Sequence, residues 1–120
     1  MPSYIEYSAP SFVKYHRWGI DHEFRPGTVR GHMTFKTMKQ TVEELGHVGR
    51  TIDIFKIDCE NCEWRTFRDW FQAGVVLRQI LVEVHGNPPE ADEFFSFLQE
   101  QGYVMFHKEP NIKYAGGDCV

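Results

Sequence analysis

From residue 37 onward the chain switches repeatedly between two hydrophobic periods, and this alternation constrains its fold more than any single motif. In "IDIFKID" (52–58), β-branched and aromatic residues run to an acidic end, the pattern of a strand. "CEWRTFRDWFQAG" then spaces Trp64, Phe67 and Phe71 by three and four and closes on Gly74, which predicts a helix. "LRQILVEVHG" contains a second strand, Gln79 to Val84. "PPEADEFFSFLQEQG" predicts a helix opened by proline, with Phe94, Phe95, Leu98 and Gln101 roughly on one face. "YVMFHKE" predicts a third strand, and "GGDCV" leads toward a fourth. Ahead of them, Thr37 with Gln40 three residues on predicts a capping box, opening a helix through "MKQTVEELG" that Gly46 closes. Strands and helices alternating at this spacing imply right-handed crossovers. The expected class is therefore α/β, with a mostly parallel, doubly wound, Rossmann-like sheet and flanking helices.

Residues 1–36 follow no such rhythm. "YSAPSFVKYHRWGIDHEF" is aromatic-rich, with a short strand expected around Phe12 to Tyr15. "RPGTVRGHMTF" is punctuated by Pro26, Gly27 and Gly31 and predicts a loop. The chain thus divides into an irregular segment, 1–36, and an α/β unit, 37–120. No internal repeat is present.

A chain of 120 residues makes one domain or part of a larger one, and 42% hydrophobic with 15% aromatic residues can fill a core. A net charge of -4 leaves no excess of Lys and Arg from which to build a nucleic-acid footprint. No apolar run approaches the roughly 20 residues of a bilayer span. "MPSYIEYSAPSF" has no basic region followed by an apolar stretch, so a secretory signal is not expected and the default compartment is the cytoplasm. Three cysteines, an odd number, argue against a disulfide framework.

Open α/β sheets bind ligands outside the carboxyl ends of their strands. Here one strand ends in Asp58, Glu60 and Glu63, and the next in Glu83 and His85 before Gly86. If the two strands are neighbours, Asp58 and His85 reach one ligand. Each residue also has a plainer reading. Glu63 sits one turn into a helix, where it favours the N-terminal dipole. Glu83 has Arg78 and Lys56 as ion-pair partners. Cys59 and Cys62 form a C-x-x-C pair, which suits half a zinc site, a redox pair, or small residues in a tight turn. A structural zinc needs two further ligands, and the third cysteine, Cys119, stands alone. Histidines 47, 85 and 107 form no H-x-H or H-x-x-x-H pair. For a redox pair, the carboxylates around Glu60 and Asn61 would raise the thiol pKa rather than lower it. His16, His22 and His32 are expected to be solvated or packed on aromatics. Trp18, Trp64 and Trp70 are expected to make core and inter-unit contacts, and "PPEADE" is a solvated helix start.

With these residues in view, "TMKQTVEELGHVGRTIDIFKIDCENCEW" resembles FkbM-like and related methyltransferase-like proteins. There, a helix leads to a strand ending in lysine, isoleucine, aspartate, a variable residue, glutamate, glycine and glutamate. Lys56, Ile57, Asp58, Glu60 and Glu63 fit that pattern, with Asn61 in place of the glycine. "LRQILVEVHG" resembles the family's next strand, and "FFSFLQEQGYVMFHKEPNIKYAGGDCV" its closing helix and hairpin. The resemblance covers residues 37–120. It implies a partial class I S-adenosylmethionine-dependent methyltransferase fold, with these strands as the fourth, fifth and sixth of seven. The glycine-rich turn and the acidic residue that would hold the cofactor have no counterpart, and no G-x-G occurs in the chain. The chain is therefore expected to be the C-terminal half of such a domain and inactive alone.

The resemblance implies Asp58 as an acceptor-orienting carboxylate and His85 as general base, with Glu60 and Glu83 in support. A magnesium or manganese ion on Asp58, Glu83 and His85 is a further expectation. The acceptor is open between a small molecule, a sugar and a protein. The alternative is a non-catalytic α/β interaction module or a degenerate methyltransferase paralogue. A sheet that lacks its neighbour would also expose an apolar edge and self-associate.

Overall fold

The computed structural model describes residues 10–28 and 31–111. In chain order these form β1 (Trp18–Ile20), β2 (Thr34–Lys36), α1 (Met38–Glu44), β3 (Thr51–Ile52) and β4 (Phe55–Ile57). There follow α2 (Cys62–Thr66), a 3-10 turn (Asp69–Phe71), β5 (Val76–Leu77), β6 (Ile80–Val82) and α3 (Glu90–Glu100).

All three strand pairs are parallel: β1 with β2, β3 with β5, and β4 with β6. The expected strand 52–58 appears as β3, which begins one residue earlier, and β4; the expected strand 79–84 is shortened to β6, and β5 lies ahead of it. Thr51 faces Val76 and Ile57 faces Val82, so the register is unchanged across the break. The backbone turns out at Asp53, whose carboxylate takes a 2.7 Å hydrogen bond from Arg78 at the matching break. α2 and the 3-10 turn form the crossover between the strands. Among the described residues these pairs do not merge into one sheet, so the parallel α/β class is seen while a Rossmann-like sheet is not clearly formed.

α1 opens as expected: Gln40 N–H donates to Thr37 Oγ1 at 3.1 Å and Thr37 N–H to Gln40 Oε1 at 2.9 Å. It closes with Gly46 at φ 69, where the Gly46 and His47 N–H groups reach back to Glu43 and Val42. α3 repeats this ending with Gly102 at φ 91, where the Gly102 and Tyr103 N–H groups reach back to Gln99 and Leu98. Both are Schellman closures, which satisfy carbonyls the helix leaves without partners.

The core is aromatic. Phe67, Trp70 and Phe94 are at most 1% exposed, with Phe67 and Phe94 edge-to-face at 5.3 Å and Trp70 edge-on to Phe94 at 6.1 Å. Met38 and Val42 of α1, Ile57 of β4 and Leu77 of β5 close around them. Trp70 Nε1 donates to buried Thr66 Oγ1, which itself donates to the Cys62 carbonyl at 2.8 Å. The inner face of α3 differs from the expected one. Ala91 and Phe94 are buried with Phe97 and Leu98 packed beside them, whereas Phe95 is 37% exposed and Gln101 faces solvent.

Two strand expectations fail among the described residues. Phe12 and Tyr15 are 84% and 80% exposed with no strand around them; the strand lies instead at Trp18–Ile20. Residues 103–109 form no strand, and Val104, Met105 and Phe106 stand exposed. β propensity supplies no hydrogen-bond partner, and no described strand pairs with either segment. "GGDCV" lies outside the described residues. No described helix is long and apolar enough to cross a membrane.

The segment ahead of Thr37 is tied to the rest by specific bonds. Trp18 Nε1 donates to Thr41 Oγ1 of α1 at 3.1 Å, and the Lys36 ammonium lies 4.2 Å from the Trp18 ring centre. Asp21, just beyond β1 and 3% exposed, accepts from Arg65 of α2 at 3.3 Å and also pairs with Arg25.

Candidate functional site

Because β4 and β6 run parallel side by side, their carboxyl ends deliver Asp58 and His85 to the same place. His85 is held from both sides by consecutive residues of α2. Its backbone N–H and its Nδ1 meet Glu63 Oε1 at 2.9 and 3.1 Å, and its carbonyl accepts from Trp64 Nε1 at 2.9 Å. A carboxylate only accepts hydrogen bonds, so the proton belongs on Nδ1 and Nε2 carries the lone pair. Nε2 lies 3.6 Å from Asp58 Oδ1 and 3.9 Å from Glu83 Oε1. Those distances are too long for direct hydrogen bonds, yet two carboxylates at that range can stabilise an imidazolium once Nε2 takes a proton.

Asp58 is half exposed and held above the usual carboxylate range. Burial contributes most, followed by the charge of Glu83 and a hydrogen bond shared with it, while His85 and Lys56 pull the other way. The nearby Glu83 charge thus disfavours the ionised form of Asp58.

Glu63 has no exposure at all. One of its oxygens takes both N–H groups of His85. The other, Oε2, lies 3.4 Å from Cys59 Sγ. Cys59 is joined to Cys62 in a disulfide that closes the turn between β4 and α2. Within this turn Glu60 and Asn61 both adopt the left-handed region, at φ 49 and 82, where the resembling family has glycine at the second position.

Of the expected site residues, Asp58, Glu83 and His85 come together and Glu60 does not. Glu60 points to solvent in the turn, outside the cluster. Glu83 pairs with neither Arg78 nor Lys56; Arg78 bonds Asp53, and Glu83 accepts from Asn111 at 3.3 Å. Two participants were not legible as such. Glu63 reads in the sequence as a residue favouring a helix dipole. Asp21, in the segment expected to be irregular, is a buried hub. Its burial pushes the carboxyl up, but the side chain and N–H of His22 and the guanidinium of Arg65 outweigh this and lower its pKa to about 2. A signal was available for Asp21 in "WGIDHEFR", a short apolar run ending in an acid with arginine four residues on. The expected aromatic surroundings also hold: His16 stacks 4.7 Å from Trp18, and Trp70 lies in the core.

An open groove of about 600 Å³ runs beside this cluster. Asp58, Cys59, Cys62 and Arg65 form one wall, and Gly19, Asp21 and Phe35 the other. Its size lies within the range of small-molecule sites.

The Glu63–His85 contact and the acids Asp58 and Glu83 thus gather at the carboxyl ends of two parallel strands, the end at which open α/β sheets bind ligands. A family model described as a methyltransferase domain matches residues 5–120, and the chain belongs to that family. No curated protein and no solved structure matches it.

The family suggests S-adenosylmethionine as its usual methyl donor. The described residues do not form a cradle for it. Gly19, the glycine on the groove wall, is covered by Phe35, whose ring would stand 2.6 Å from an added Cβ. Both oxygens of Asp21 are engaged by His22, Arg25 and Arg65, so the carboxylate is committed to holding this segment together. A divalent ion fits the donors better. One ligand atom each from Asp58, Glu83 and His85 lies within 4.8 Å of the others, and two carboxylates with one imidazole suit magnesium or manganese.

Proposed function

We propose that this chain is the acceptor-side part of a class I, S-adenosylmethionine-dependent methyltransferase domain of FkbM-like type, with His85 as the general base. The observation that carries this reading is the clamping of His85 by Glu63 and Trp64, which leaves Nε2 as a proton acceptor 3.6 Å from Asp58, the member of the cluster that lines the open groove. A hydroxyl, carboxyl or amine acceptor held at Asp58, where the groove meets the cluster, would give its proton to Nε2. Asp58 and Glu83 would orient the acceptor and balance the imidazolium, and Glu63 would keep the ring from turning. The resemblance of residues 37–120 supports assigning these residues to the C-terminal half of the domain, with the cofactor cradle supplied by the half not represented here. The acceptor is a small molecule, a sugar or a protein.

A second reading is favoured by the missing cradle: a non-catalytic α/β interaction module, or a degenerate paralogue. Calorimetric titration of S-adenosylhomocysteine into the protein with its cofactor-binding half present separates the two. Binding, with labelled methyl transfer to a panel of hydroxyl, carboxyl and amine acceptors that drops roughly 10²–10⁴-fold in His85→Ala, supports the enzyme. Neither binding nor transfer supports the module.

A further inference from the structure

We propose that Cys59 and Cys62 are a reversible dithiol–disulfide site, and that its state is transmitted to His85 through Glu63. Glu63 is fully buried, and the only polar contact of its Oε2 among the described residues is Cys59 Sγ at 3.4 Å. In the disulfide that sulfur carries no proton. The oxidised chain therefore holds a buried carboxylate oxygen with no donor, a costly arrangement. Reduction places a thiol hydrogen at that sulfur, at a separation normal for S–H···O contact. One redox event thus supplies the partner the oxygen lacks.

Accessibility fits the chemistry. Both cysteines line the open groove, but Cys59 is half-buried while Cys62 is only 4% exposed, so an incoming thiolate meets Cys59 first. With a small dithiol as reductant, its thiolate attacks Cys59 Sγ and the S–S bond breaks toward Cys62, which leaves as a thiolate and takes up a proton. The second thiol of the reductant then attacks the mixed disulfide, closing the reductant's own disulfide and releasing Cys59, which takes up the second proton. Two electrons and two protons pass from the reductant to the cysteine pair, and nothing else is consumed.

The coupling to His85 follows from Glu63 having one charge and two oxygens. In the disulfide state that charge is answered only at Oε1, by the two N–H groups of His85. A thiol at Oε2 draws part of it away and loosens the hold on His85. Breaking the disulfide also frees the turn in which Glu60 and Asn61 are kept left-handed. The coupling itself stands on these contacts; only its consequence for proton acceptance rests on the function proposed above.

The test uses the full chain with Cys119→Ser, so that any redox transition belongs to the pair. The chain is equilibrated in mixtures of reduced and oxidised dithiothreitol, the two thiols are counted by alkylation and mass spectrometry, and the His85 amide is followed by NMR. The expected result is joint alkylation of Cys59 and Cys62 in one step while the fold persists, with the His85 amide signal moving in parallel. Cys59→Ser, whose hydroxyl is a permanent donor to Glu63, should fix the His85 signal near the reduced position and abolish its response to dithiothreitol. A disulfide that opens only when the chain unfolds overturns the proposal, as does a His85 signal that stays still while the pair is reduced. Cofactor binding and methyl transfer do not enter these readouts, so the proposed enzyme can fail while the redox coupling stands, and the reverse.

Discussion

Fully buried Glu63, on α2, takes both N–H groups of His85, a residue just beyond the end of β6. Glu63→Ala would leave two His85 N–H groups without an acceptor, which should cost roughly 1–3 kcal/mol in urea unfolding. Glu63→Gln keeps an acceptor there and should cost less. Asp21 governs the acid limb. Its folded pKa of about 2 lies below the ordinary 3.8, so its contribution is complete above 3.8 and lost as pH falls toward 2. The difference corresponds to about 2 kcal/mol, and Asp21→Asn should flatten the fall in unfolding free energy across that window. At this scale the sequence was half legible. Asp58 and His85 could be placed together because both end strands whose pairing the pattern predicts. Glu63 could not, because an acid in a helix's first turn looks the same whether it faces water or a histidine. The disulfide was hidden for a related reason: an odd cysteine count and a run of acids argue against it, and only the left-handed turn brings the two sulfurs together.

Local chemistry was the best guide to single elements. The capping box of α1 was readable because both of its bonds lie within four residues, and Thr37→Ala should cost about 1 kcal/mol in chemical denaturation. The helix expected after β4 instead splits into five residues and a 3-10 turn, with buried Thr66 and Trp70 hydrogen-bonded to each other across the break. Such a bond depends on which residues the core encloses, and hydrophobic spacing does not report it. Residues 103–109 fail for the opposite reason: their composition suits a strand, but a strand exists only with a partner. In α3 the buried face is set by Phe94, which meets Trp64, Phe67 and Trp70 edge-on. Phe94→Ala should cost about 3–5 kcal/mol by thermal or urea unfolding, whereas Phe95→Ala should change little.

Across the whole molecule, short parallel pairs replace the continuous sheet that the alternating pattern led one to expect. Two-stranded pairs are marginal on their own, so the aromatic core and the Trp18 and Asp21 bonds carry the assembly. Exposed Val104, Met105 and Phe106 add apolar surface to a fold whose described strands form only two-stranded pairs. The isolated chain should therefore self-associate in sedimentation velocity as concentration rises; a single monomeric species at all concentrations would contradict this. The parallel class was visible in the sequence because strand and helix periods differ. The division into pairs was not, since nothing in a strand's own residues marks where its partner stops.

The uninterrupted register between the two broken strands makes chain length itself a constraint. Asp53–Ile54 and Arg78–Gln79 interrupt the pair at facing positions, so the two gaps match in size. One residue inserted in the first gap alone would turn Asp58 to the opposite face, away from His85, without changing any side chain. The same residue matched by another in the second gap would restore the spacing. Natural variation in length should therefore arrive at these two loops together or not at all.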